Sequence, residues 1–386
     1  MLYNFDADMQ RTNSAKWEEM YKRFGTNDLL PFWFADMEFK SPQPVIDALT
    51  ERAQEGVFGY AFRPESYFEA IRTWFRERHG WNIDPETIVY SPGIIAAMSI
   101  IIKEMTEPGD KIIVQPPVYP PFFDVVTKNN RQLILNPLKE ENGRYVMDFD
   151  DLEKKIDSKV KFLLLCNPHN PVGRAWEKSE LERLGEICFR SGVKIISDEV
   201  HCDFVFKPHK HIPAATVSEE FKNNCISIVA PNKTFNLAGL QGASVVMPDP
   251  KDRERFNFAL GTLDILRNNV FNLVAIETAY RYGGEWYDQL MEYMEGNLSI
   301  MIDRFKDNPH GVKLIKPEAT YLLWLDFRDL NLTREQMHEK IILKGKVALD
   351  YGYRYGAEGF LRFSIGCPRA MLENGLDRID YALSNL

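Results

Sequence analysis

Lys233 is the residue of this sequence best suited to covalent chemistry with a carbonyl compound. It follows the apolar run 225–229 by four positions and stands in a turn-like stretch that ends at Gly239. An amine that burial keeps partly neutral can form an imine with an aldehyde, whereas most lysines of soluble proteins are solvated surface charges. The lysine alone leaves both interpretations open, so its neighbours in the fold decide between them.

Two further polar groups follow apolar runs in the same way. Asp198 comes directly after the run 194–197, and a carboxylate at a buried strand end needs a cation or hydrogen-bond donors, because an unpaired buried charge is costly. A protonated ring nitrogen would be such a partner. The segment 166–174 contains two Asn-Pro steps and a glycine, which predict a defined loop whose amides, with Asn170 among them, can hydrogen-bond a phenolic oxygen.

A phosphate site and an aromatic platform are predicted after two other runs. Gly93, Ile94 and Ile95 open a helix after the run 87–90, and free backbone N–H groups at a helix N-terminus suit a phosphate. The proline-rich loop that follows the run 111–114 fixes Tyr119. The tyrosine ring either stacks on a flat ligand or packs as an ordinary buried aromatic, and the sequence leaves both roles open.

The elements that position these groups alternate between short β-branched runs and longer helical stretches. This alternation is typical of α/β proteins with a mainly parallel sheet covered by helices on both faces, which makes three layers. Ligands of such sheets bind outside the carboxyl ends of the strands. We predict strands at 87–90, 111–114, 131–135, 161–165, 194–197, 226–229 and 243–247.

The pattern changes after residue 247, where long helical stretches are followed by a smaller α+β region. We predict helices at 94–105, 181–190, 253–281, 286–305, 333–343 and 371–384, one that begins near 41–44, and further strands at 312–315, 320–326 and 360–364. The aromatic first forty residues show no clear period and suggest an arm lying on another surface. The predicted domains are 1–45 (N-terminal arm and small-domain segment), 46–285 (large cofactor-binding domain) and 286–386 (small C-terminal domain).

Composition favours a small-molecule enzyme over a binder of nucleic acid or membrane. The chain has 386 residues, 45% of them hydrophobic, and a formal net charge of −9, which argues against general binding to anionic polymers or lipids. It has neither a secretory start nor an apolar run long enough to cross a membrane. Five scattered cysteines without a close pair predict inert buried thiols, the reducing cytoplasm and no metal site.

Three motifs together resemble a known family. Asn-Pro-x-Asn-Pro-x-Gly at 167–173, Asp-Glu-x-x at 198–201 and Asn-Lys-Thr-Phe-Asn-x-x-Gly at 232–239 are similar to those of the fold type I pyridoxal 5′-phosphate (PLP) enzymes, the aspartate aminotransferase superfamily. The resemblance covers essentially the whole chain. It implies the aminotransferase fold type I and PLP as the cofactor.

The resemblance also implies roles for individual residues. Lys233 would hold the cofactor covalently, Asp198 would pair with the pyridine nitrogen, Asn170 would bind the phenolic oxygen and Tyr119 would stack on the ring. A pyridine ring that is held protonated can accept electrons from the α-carbon of a bound amino acid.

Two further residues match the family outside these motifs. Arg362, in the apolar run 360–364, matches the arginine for the substrate α-carboxylate, and an arginine this deep without a carboxylate partner would be hard to explain structurally. Tyr60 resembles the residue that reaches the phosphate of the neighbouring subunit, which implies a homodimer with shared active sites. Ala35 and Asn170 are also predicted to contact the substrate.

Two departures from the aminotransferase pattern indicate a branch of the family. His201 replaces a common tyrosine and is predicted to contact the cofactor, and Gln241 replaces a common arginine or lysine. Phosphate binding would then depend more on the helix amides, on Asn232 and on Tyr60, which leaves Gln241 a doubtful contact. With the segment 33–39, these features resemble the bacterial cystathionine beta-lyase, or carbon-sulfur beta-lyase, branch.

The implied reaction is β-elimination from cystathionine or a related cysteine S-conjugate, giving a thiol, pyruvate and ammonia. Lys233 would remove the α-proton as general base, and Tyr119 would help to protonate the departing sulfur. A PLP-dependent aminotransferase would use the same residues and is the alternative, with a regulatory PLP-binding protein as a further one. The segment 208–211 with His201 suggests a metal hydrolase, but no carboxylate stands at ligand spacing and we expect a solvated loop.

Overall fold

The computed structural model describes residues 2–7 and 13–386. The strands in this part of the chain are β1 (Leu30–Pro31), β2 (Ile88–Ser91), β3 (Lys111–Val114), β4 (Gln132–Leu135), β5 (Lys139–Glu141), β6 (Arg144–Val146), β7 (Val160–Cys166), β8 (Lys194–Asp198), β9 (Cys225–Val229), β10 (Ala243–Val246), β11 (Lys313–Ile315), β12 (Leu322–Asp326), β13 (Val347–Ala348), β14 (Asp350–Tyr351) and β15 (Phe360–Ser364).

The α-helices of the described residues connect these strands or cover them. They are α1 (Ala15–Glu18), α2 (Met20–Phe24), α3 (Gln43–Gln54), α4 (Glu65–His79), α5 (Ile94–Met105), α6 (Pro121–Thr127), α7 (Phe149–Lys155), α8 (Lys178–Arg190), α9 (Glu219–Asn224), α10 (Pro250–Thr262), α11 (Val270–Tyr282), α12 (Gly284–Lys306), α13 (Arg334–Met337) and α14 (Arg369–Ser384).

A seven-stranded sheet in the order β2-β10-β9-β8-β7-β3-β4 forms the centre of the large region. Its pairs are parallel except those of β10, which runs antiparallel to both β2 and β9. Six strands therefore end at the same edge, and the sheet is mixed but mainly parallel. The seven strands predicted from the sequence are confirmed to within one residue at each end.

Both faces of this sheet are buried, as the nearly continuous apolar strands require. Along β7, Phe162 and Leu164 belong to a core cluster shared with α5, α6 and α10. Leu163 and Leu165 point the other way, into a cluster shared with α7, α8 and α9. Alternate residues of one strand thus pack against two helical layers, which confirms the predicted three-layer α/β architecture.

A smaller antiparallel sheet in the order β11-β12-β15-β14 follows α12, which contacts β11 and α14, so the predicted α+β region near the C-terminus is confirmed. Residues near the N-terminus also pack against this C-terminal region. The strand β1 pairs in parallel with β13, and the ring of Phe32 stacks on Phe363 with 4.2 Å between centroids. The segment predicted as an arm therefore lies, from Leu29 to Phe39, within the chain's own core.

Two predicted helices differ from the structure. The stretch 253–281 is not one helix, because α10 ends at Thr262 and α11 begins at Val270, where the Asn269 side chain accepts the N–H of Phe271. The stretch 333–343 begins as α13 and continues as a π-helix at His338–Leu343. The domain boundaries at residues 45 and 285 stay a prediction. The first predicted domain, 1–45, includes residues outside the described part.

No helix among the described residues is long and apolar enough to cross a membrane. The long apolar run that begins at Gly93 forms α5, whose buried residues face the large core.

Candidate active site

A cavity of about 430 Å³ lies at the edge of the large sheet where the parallel strands end. Eleven residues named from the sequence as site residues or doubtful contacts line it: Ala35, Gly93, Ile94, Ile95, Tyr119, Asn170, Asp198, His201, Asn232, Lys233 and Gln241. These residues come from five strand ends and the N-terminal segment. The parallel topology brings the residues of the strand ends together, since those strands point toward the same edge, and Ala35 joins them from the N-terminal segment.

Asp198 is the last residue of β8 and lines the cavity, with 5% of its surface exposed. Its carboxylate accepts the backbone N–H of Val200 at 3.1 Å. Burial raises the pKa of Asp198 to about 7, with a smaller upward effect of Glu199, while the N–H of Val200 and the charge of Lys233 oppose it. A cation placed against this carboxylate would therefore stabilise its charged form strongly.

Lys233 stands four residues after β9 and reaches the same cavity. Burial lowers the pKa of its amine; Asp36 and Asp198 oppose this effect, and Arg362 adds to it. A lowered pKa increases the neutral fraction of the amine, which is the form that attacks carbonyl carbon and accepts protons. The surroundings of Lys233 therefore differ from those of a solvated surface lysine.

The N-terminus of α5 supplies the backbone N–H groups of the cavity. Gly93 is the N-cap residue, and the first residues of the helix line the cavity with it. Across from them, Asn232 donates to the carbonyl of Gly242 at 3.1 Å, while its buried Oδ1 has no partner among the described residues. Gln241 also lines the cavity, although its place in the family pattern made it a doubtful contact.

Tyr119 and Asn170 face the cavity from two loops. Tyr119 follows β3, and burial raises the pKa of its phenol, which stays protonated. The backbone N–H of Asn170 contacts Cys166 Sγ at 3.4 Å, and its Oδ1 accepts from Arg362 Nη1 at 3.4 Å. Cys166 also lines the cavity, and burial raises the pKa of its thiol, so it is neutral and unreactive as predicted for the cysteines.

Arg362 lies in β15 and lines a second cavity of about 460 Å³ that shares Ala35, Tyr119 and Lys233 with the first. Its Nη2 donates to the carbonyl of Trp33 at 2.9 Å. A carboxylate does lie nearby, because Asp350 Oδ2 is 3.7 Å from Nη2, which weakens the argument that a structural role for this arginine would be hard to explain. Its buried Nε has no partner among the residues described.

His201 lies beside the cavity and is buried. Burial lowers its pKa well below the usual value, and the charges of Lys233 and Arg362 add to this, so the ring is neutral. Its Nδ1 lacks a hydrogen-bond partner among the described residues, and its ring meets Tyr321 edge-on at 5.8 Å between centroids.

Tyr60 is the predicted site residue that lines neither the first nor the second cavity among the residues described. Its side chain is 91% exposed, and the guanidinium of Arg267 lies 5.6 Å from the ring centre. Tyr60 is therefore not among the residues of this same chain that form the cavity. The predicted role at a neighbouring subunit is a separate matter and stays a prediction.

Behind the cavity, a layer of buried polar contacts that sequence reasoning missed supports the lysine turn. Thr234 donates to Asp203 Oδ2 at 2.6 Å, and Asp203 Oδ1 lies 2.8 Å from His79 Nε2. Further along the turn, the side chain of Asn236 accepts the N–H of Met37 at 3.1 Å and donates to its carbonyl at 2.9 Å. The motif around Lys233 was visible in the sequence, but the partners of its polar residues were not.

The segment 208–211 is not wholly the solvated loop expected from the sequence. Lys207, Pro208 and Lys210 are exposed, but His211 is buried and its Nε2 lies 2.8 Å from Glu199 Oε2. The histidine turns inward because the buried carboxylate offers it a partner.

One group of potential metal ligands occurs among the described residues, namely His79, Cys202 and Asp203. The carboxylate of this group already accepts hydrogen bonds from Trp74 Nε1 at 3.1 Å and from Thr234. Both oxygens of the Asp203 carboxylate therefore already have hydrogen-bond partners within the protein.

Comparison with known proteins relates the whole chain to one family. The model of the family "Aminotransferase class I and II" matches residues 34–379. The chain is 43% identical over 386 residues to the cystathionine beta-lyase PatB of Bacillus subtilis (strain 168), covering 99% of this chain and 100% of that protein.

Two solved structures superpose on nearly the full length. A PLP-bound structure from Clostridium difficile 630, provisionally named an aminotransferase, has a TM-score of 0.97 and 49% identity over 99% of this chain and 100% of that one. Cystalysin from Treponema denticola, which contains pyridoxal 5′-phosphate, has a TM-score of 0.96 and 34% identity over 100% of both chains. With its fold, its cavity and these full-length relatives, the chain belongs to the aminotransferase class I and II family.

Proposed function

We propose that this protein is a PLP-dependent carbon-sulfur β-lyase of the cystathionine beta-lyase type. Its substrates are cystathionine or related cysteine S-conjugates, and its products are a thiol, pyruvate and ammonia. The observation that supports the chemistry is a single cavity that holds an amine of lowered pKa and a carboxylate of raised pKa, Lys233 and Asp198. The branch is supported by the full-length relative named cystathionine beta-lyase.

The donor set of the cavity fits PLP. Asp198 is a buried carboxylate that a pyridinium N–H would satisfy, and the first residues of α5 belong to the same lining. Backbone N–H groups at a helix N-terminus suit a phosphate. Lys233 would hold the cofactor, Asn170 its phenolic oxygen, Gly93, Ile94 and Ile95 its phosphate, and Tyr119 one face of its ring, with His201 beside it.

When bound, PLP supplies an aldehyde for the substrate amine and a ring that stores the electron pair left at the α-carbon. Arg362 would hold the substrate α-carboxylate with its planar guanidinium. This contact orients the α-hydrogen toward Lys233, whose neutral amine then accepts the proton as general base. Ala35, which lines both cavities, would limit the space around the bound substrate.

Tyr119 would assist the departure of sulfur. Its phenol lines both cavities, and burial keeps it protonated, so it can donate a proton to the leaving thiolate. In the overall elimination the Cα–H and Cβ–S bonds break, and the thiol leaves with one proton. The remaining three-carbon fragment takes up water and gives pyruvate and ammonia.

We also propose a homodimer with shared active sites, in which Tyr60 reaches the phosphate at the neighbouring subunit. The support is an exposed apolar surface at the segment 57–62, where Phe58 and Phe62 are 58% and 78% exposed and the ring of Phe58 contacts Phe271. A patch of this kind marks an interaction surface. All five cysteines are free and buried, which supports the cytoplasm as the compartment.

The proposed function is tested by mixing the PLP-loaded protein with cystathionine in the absence of any 2-oxo acid. We expect pyruvate and a free thiol to form at equal rates and without a lag. Pyruvate is measured with lactate dehydrogenase, and the thiol with a chromogenic disulfide. No product from cystathionine or from other cysteine S-conjugates would refute the proposal.

Transamination is the second candidate, supported by the similar structure provisionally named an aminotransferase. The same experiment separates the two reactions. An aminotransferase releases no thiol and turns over only after a 2-oxo acid is added, which then becomes an amino acid. Product that depends on the 2-oxo acid would therefore replace the lyase by a transaminase.

A further inference from the structure

The second cavity continues away from Lys233 into a strongly basic pocket that the proposed mechanism does not use. Its inner end contains Lys233, Tyr119 and Arg362, and its outer end is formed by α2 and the turn that follows β14. The cationic side chains of its lining are Lys22, Arg23, Lys233, Arg354 and Arg362. Its acidic side chains are Glu19 and Asp350.

Asp350 is buried and already engaged by several groups. Arg23 Nη2 forms a short ion pair with it, Arg354 Nη1 lies 3.0 and 3.1 Å from its two oxygens, and the Tyr355 hydroxyl donates at 2.7 Å. One carboxylate thus faces two arginines directly, with Arg362 at 3.7 Å as a third. The pocket is left with an excess of positive charge.

The excess persists after the charges used by the proposed reaction are subtracted. Lys22 and Glu19 lie 3.7 Å apart and offset each other at the surface. Lys233 is assigned to the cofactor and the α-proton, and Arg362 to the substrate α-carboxylate. Arg23 and Arg354 then share the single charge of Asp350, so one positive charge has no counterpart among the described residues of the pocket lining.

Both arginines also have unused hydrogen-bond donors. Among the described residues, only Nη2 of Arg23 and only Nη1 of Arg354 have a protein partner, and the Nε of Arg23 is buried without one. The guanidinium of Arg23 is held over the ring of Trp33, 5.3 Å from its centre. A fixed planar guanidinium with free donors is suited to a carboxylate.

We propose that Arg354 and Arg23 form a subsite for a carboxylate on the departing thiol. The preferred substrates are then cysteine S-conjugates whose sulfur substituent ends in a carboxylate group, as the homocysteine part of cystathionine does. This inference rests on the proposed function, because the inner end of the pocket is taken as the place of the elimination. Three aromatic residues of the lining, Trp33 and Phe34 together with Tyr119 of the inner end, would contact the methylene and sulfur atoms.

The kinetic test compares two substrates in the PLP-loaded protein: cystathionine and S-ethylcysteine, which lacks the distal carboxylate. The quantity compared is the kcat/KM for cystathionine divided by the kcat/KM for S-ethylcysteine. In Arg354→Gln this ratio should fall about tenfold, because the variant loses one charge-assisted hydrogen bond. The fall should come mainly from a higher KM for cystathionine. Arg354→Lys retains the positive charge but not the planar guanidinium, so its ratio should lie between those of the wild type and Arg354→Gln. Arg190→Gln, at an exposed arginine paired with Glu153, is the matched control and should keep the wild-type ratio.

A second measurement does not depend on turnover and uses ligands that cannot react. Suberate has two carboxylates as far apart along the chain as those of cystathionine, and octanoate has only one. Calorimetric titration of the PLP-loaded protein should show tighter binding of suberate, and Arg354→Gln should abolish the difference.

The outcomes separate this inference from the proposed function. An unchanged substrate ratio in Arg354→Gln, or equal binding of suberate and octanoate by the wild type, would refute the subsite. An equal loss for both substrates would also refute it, since that result indicates a structural role. A wild-type protein that eliminates neither substrate but binds suberate more tightly would retain the subsite and refute the lyase.

Discussion

The hydroxyl of Thr234 donates a hydrogen bond of 2.6 Å to Asp203 Oδ2 and thereby fixes the residue that directly follows Lys233. Burial alone would raise the pKa of Asp203, but hydrogen bonds from His79, Thr234 and Trp74 outweigh it and lower this pKa. The carboxylate is thus a charged, fully engaged group beneath the lysine turn. The position of the Lys233 backbone depends on a buried polar contact as well as on apolar packing.

Replacing Thr234 with valine should test this support. Thr234→Val preserves the shape of the side chain but leaves Asp203 Oδ2 without its donor, at a cost of about 1–3 kcal/mol in the free energy of unfolding. We also expect a lower kcat, because the turn that carries Lys233 loses an anchor. Urea unfolding and pyruvate formation measure the two effects. Thr262→Val, which removes an exposed hydroxyl bonded to Phe258, is the control, and equal stability of both variants would contradict the role of Asp203.

Replacing Lys233 with alanine should abolish pyruvate formation from cystathionine while the protein still folds. The proposed cofactor attachment and the proposed base are both lost with this amine. Borohydride reduction of the wild-type protein, followed by peptide mass spectrometry, should place a pyridoxyl group on Lys233. Lys210→Ala, at an exposed lysine, should retain both properties. Steady pyruvate formation by Lys233→Ala would contradict both assignments.

The raised pKa of Asp198 predicts a pH effect on the stability of the protein stripped of PLP. With a pKa of about 7 when folded and about 3.9 when unfolded, the folded state holds a proton that the unfolded chain has released. The contribution of Asp198 to the free energy of unfolding therefore falls as pH rises from about 4 to about 7. Asparagine at this position does not titrate and escapes this loss.

The measurement is urea unfolding of the PLP-free wild type and of Asp198→Asn at pH 5 and pH 8. The stability of the variant relative to the wild type should increase by about 3 kcal/mol between the two pH values, since two pH units correspond to ~1.4 kcal/mol each. The comparison between proteins removes the contributions of other groups. A difference that does not change with pH would contradict the raised pKa.

Gly173 is the position of the Asn170 loop that should not tolerate a side chain. Its φ is +71°, and a Cβ would lie 2.9 Å from the Cβ of Pro317 and 3.2 Å from the carbonyl oxygen of Ala319. Gly173→Ala should lower the free energy of unfolding by about 1–3 kcal/mol and weaken PLP binding, because the loop moves. Unfolding curves and a PLP titration measure these losses.

A matched control separates the effect of contacts made by the new side chain from the effect of backbone strain. Gly192 has a similar φ of +72°, but a Cβ there would meet nothing within 4 Å. Gly192→Ala should therefore show only the cost of the left-handed backbone and no effect on PLP binding. Equal losses in both alanine variants would show that contact with Pro317 and Ala319 does not matter.

The sequence by itself determined the large sheet and the composition of the cavity. The seven strands are short apolar runs buried on both faces, so the local pattern is enough to locate them. Because parallel strands end at one edge, residues that follow them in sequence must meet there, and Asp198, Lys233 and Asn170 do so. Among the described residues, Tyr60 is the predicted site residue that lines neither cavity, and it belongs to a loop and follows no strand of the sheet.

Only the tertiary structure decided which charged groups pair with each other around that cavity. His79 is paired with Asp203, His211 with Glu199, and Arg23 with Asp350, across separations of 124, 12 and 327 residues. The sequence contains 47 lysines and arginines, 7 histidines and 56 acidic residues, and no periodic pattern indicates which of them will meet. Such pairs form where folding buries two charges next to each other, because each then needs the other in place of water.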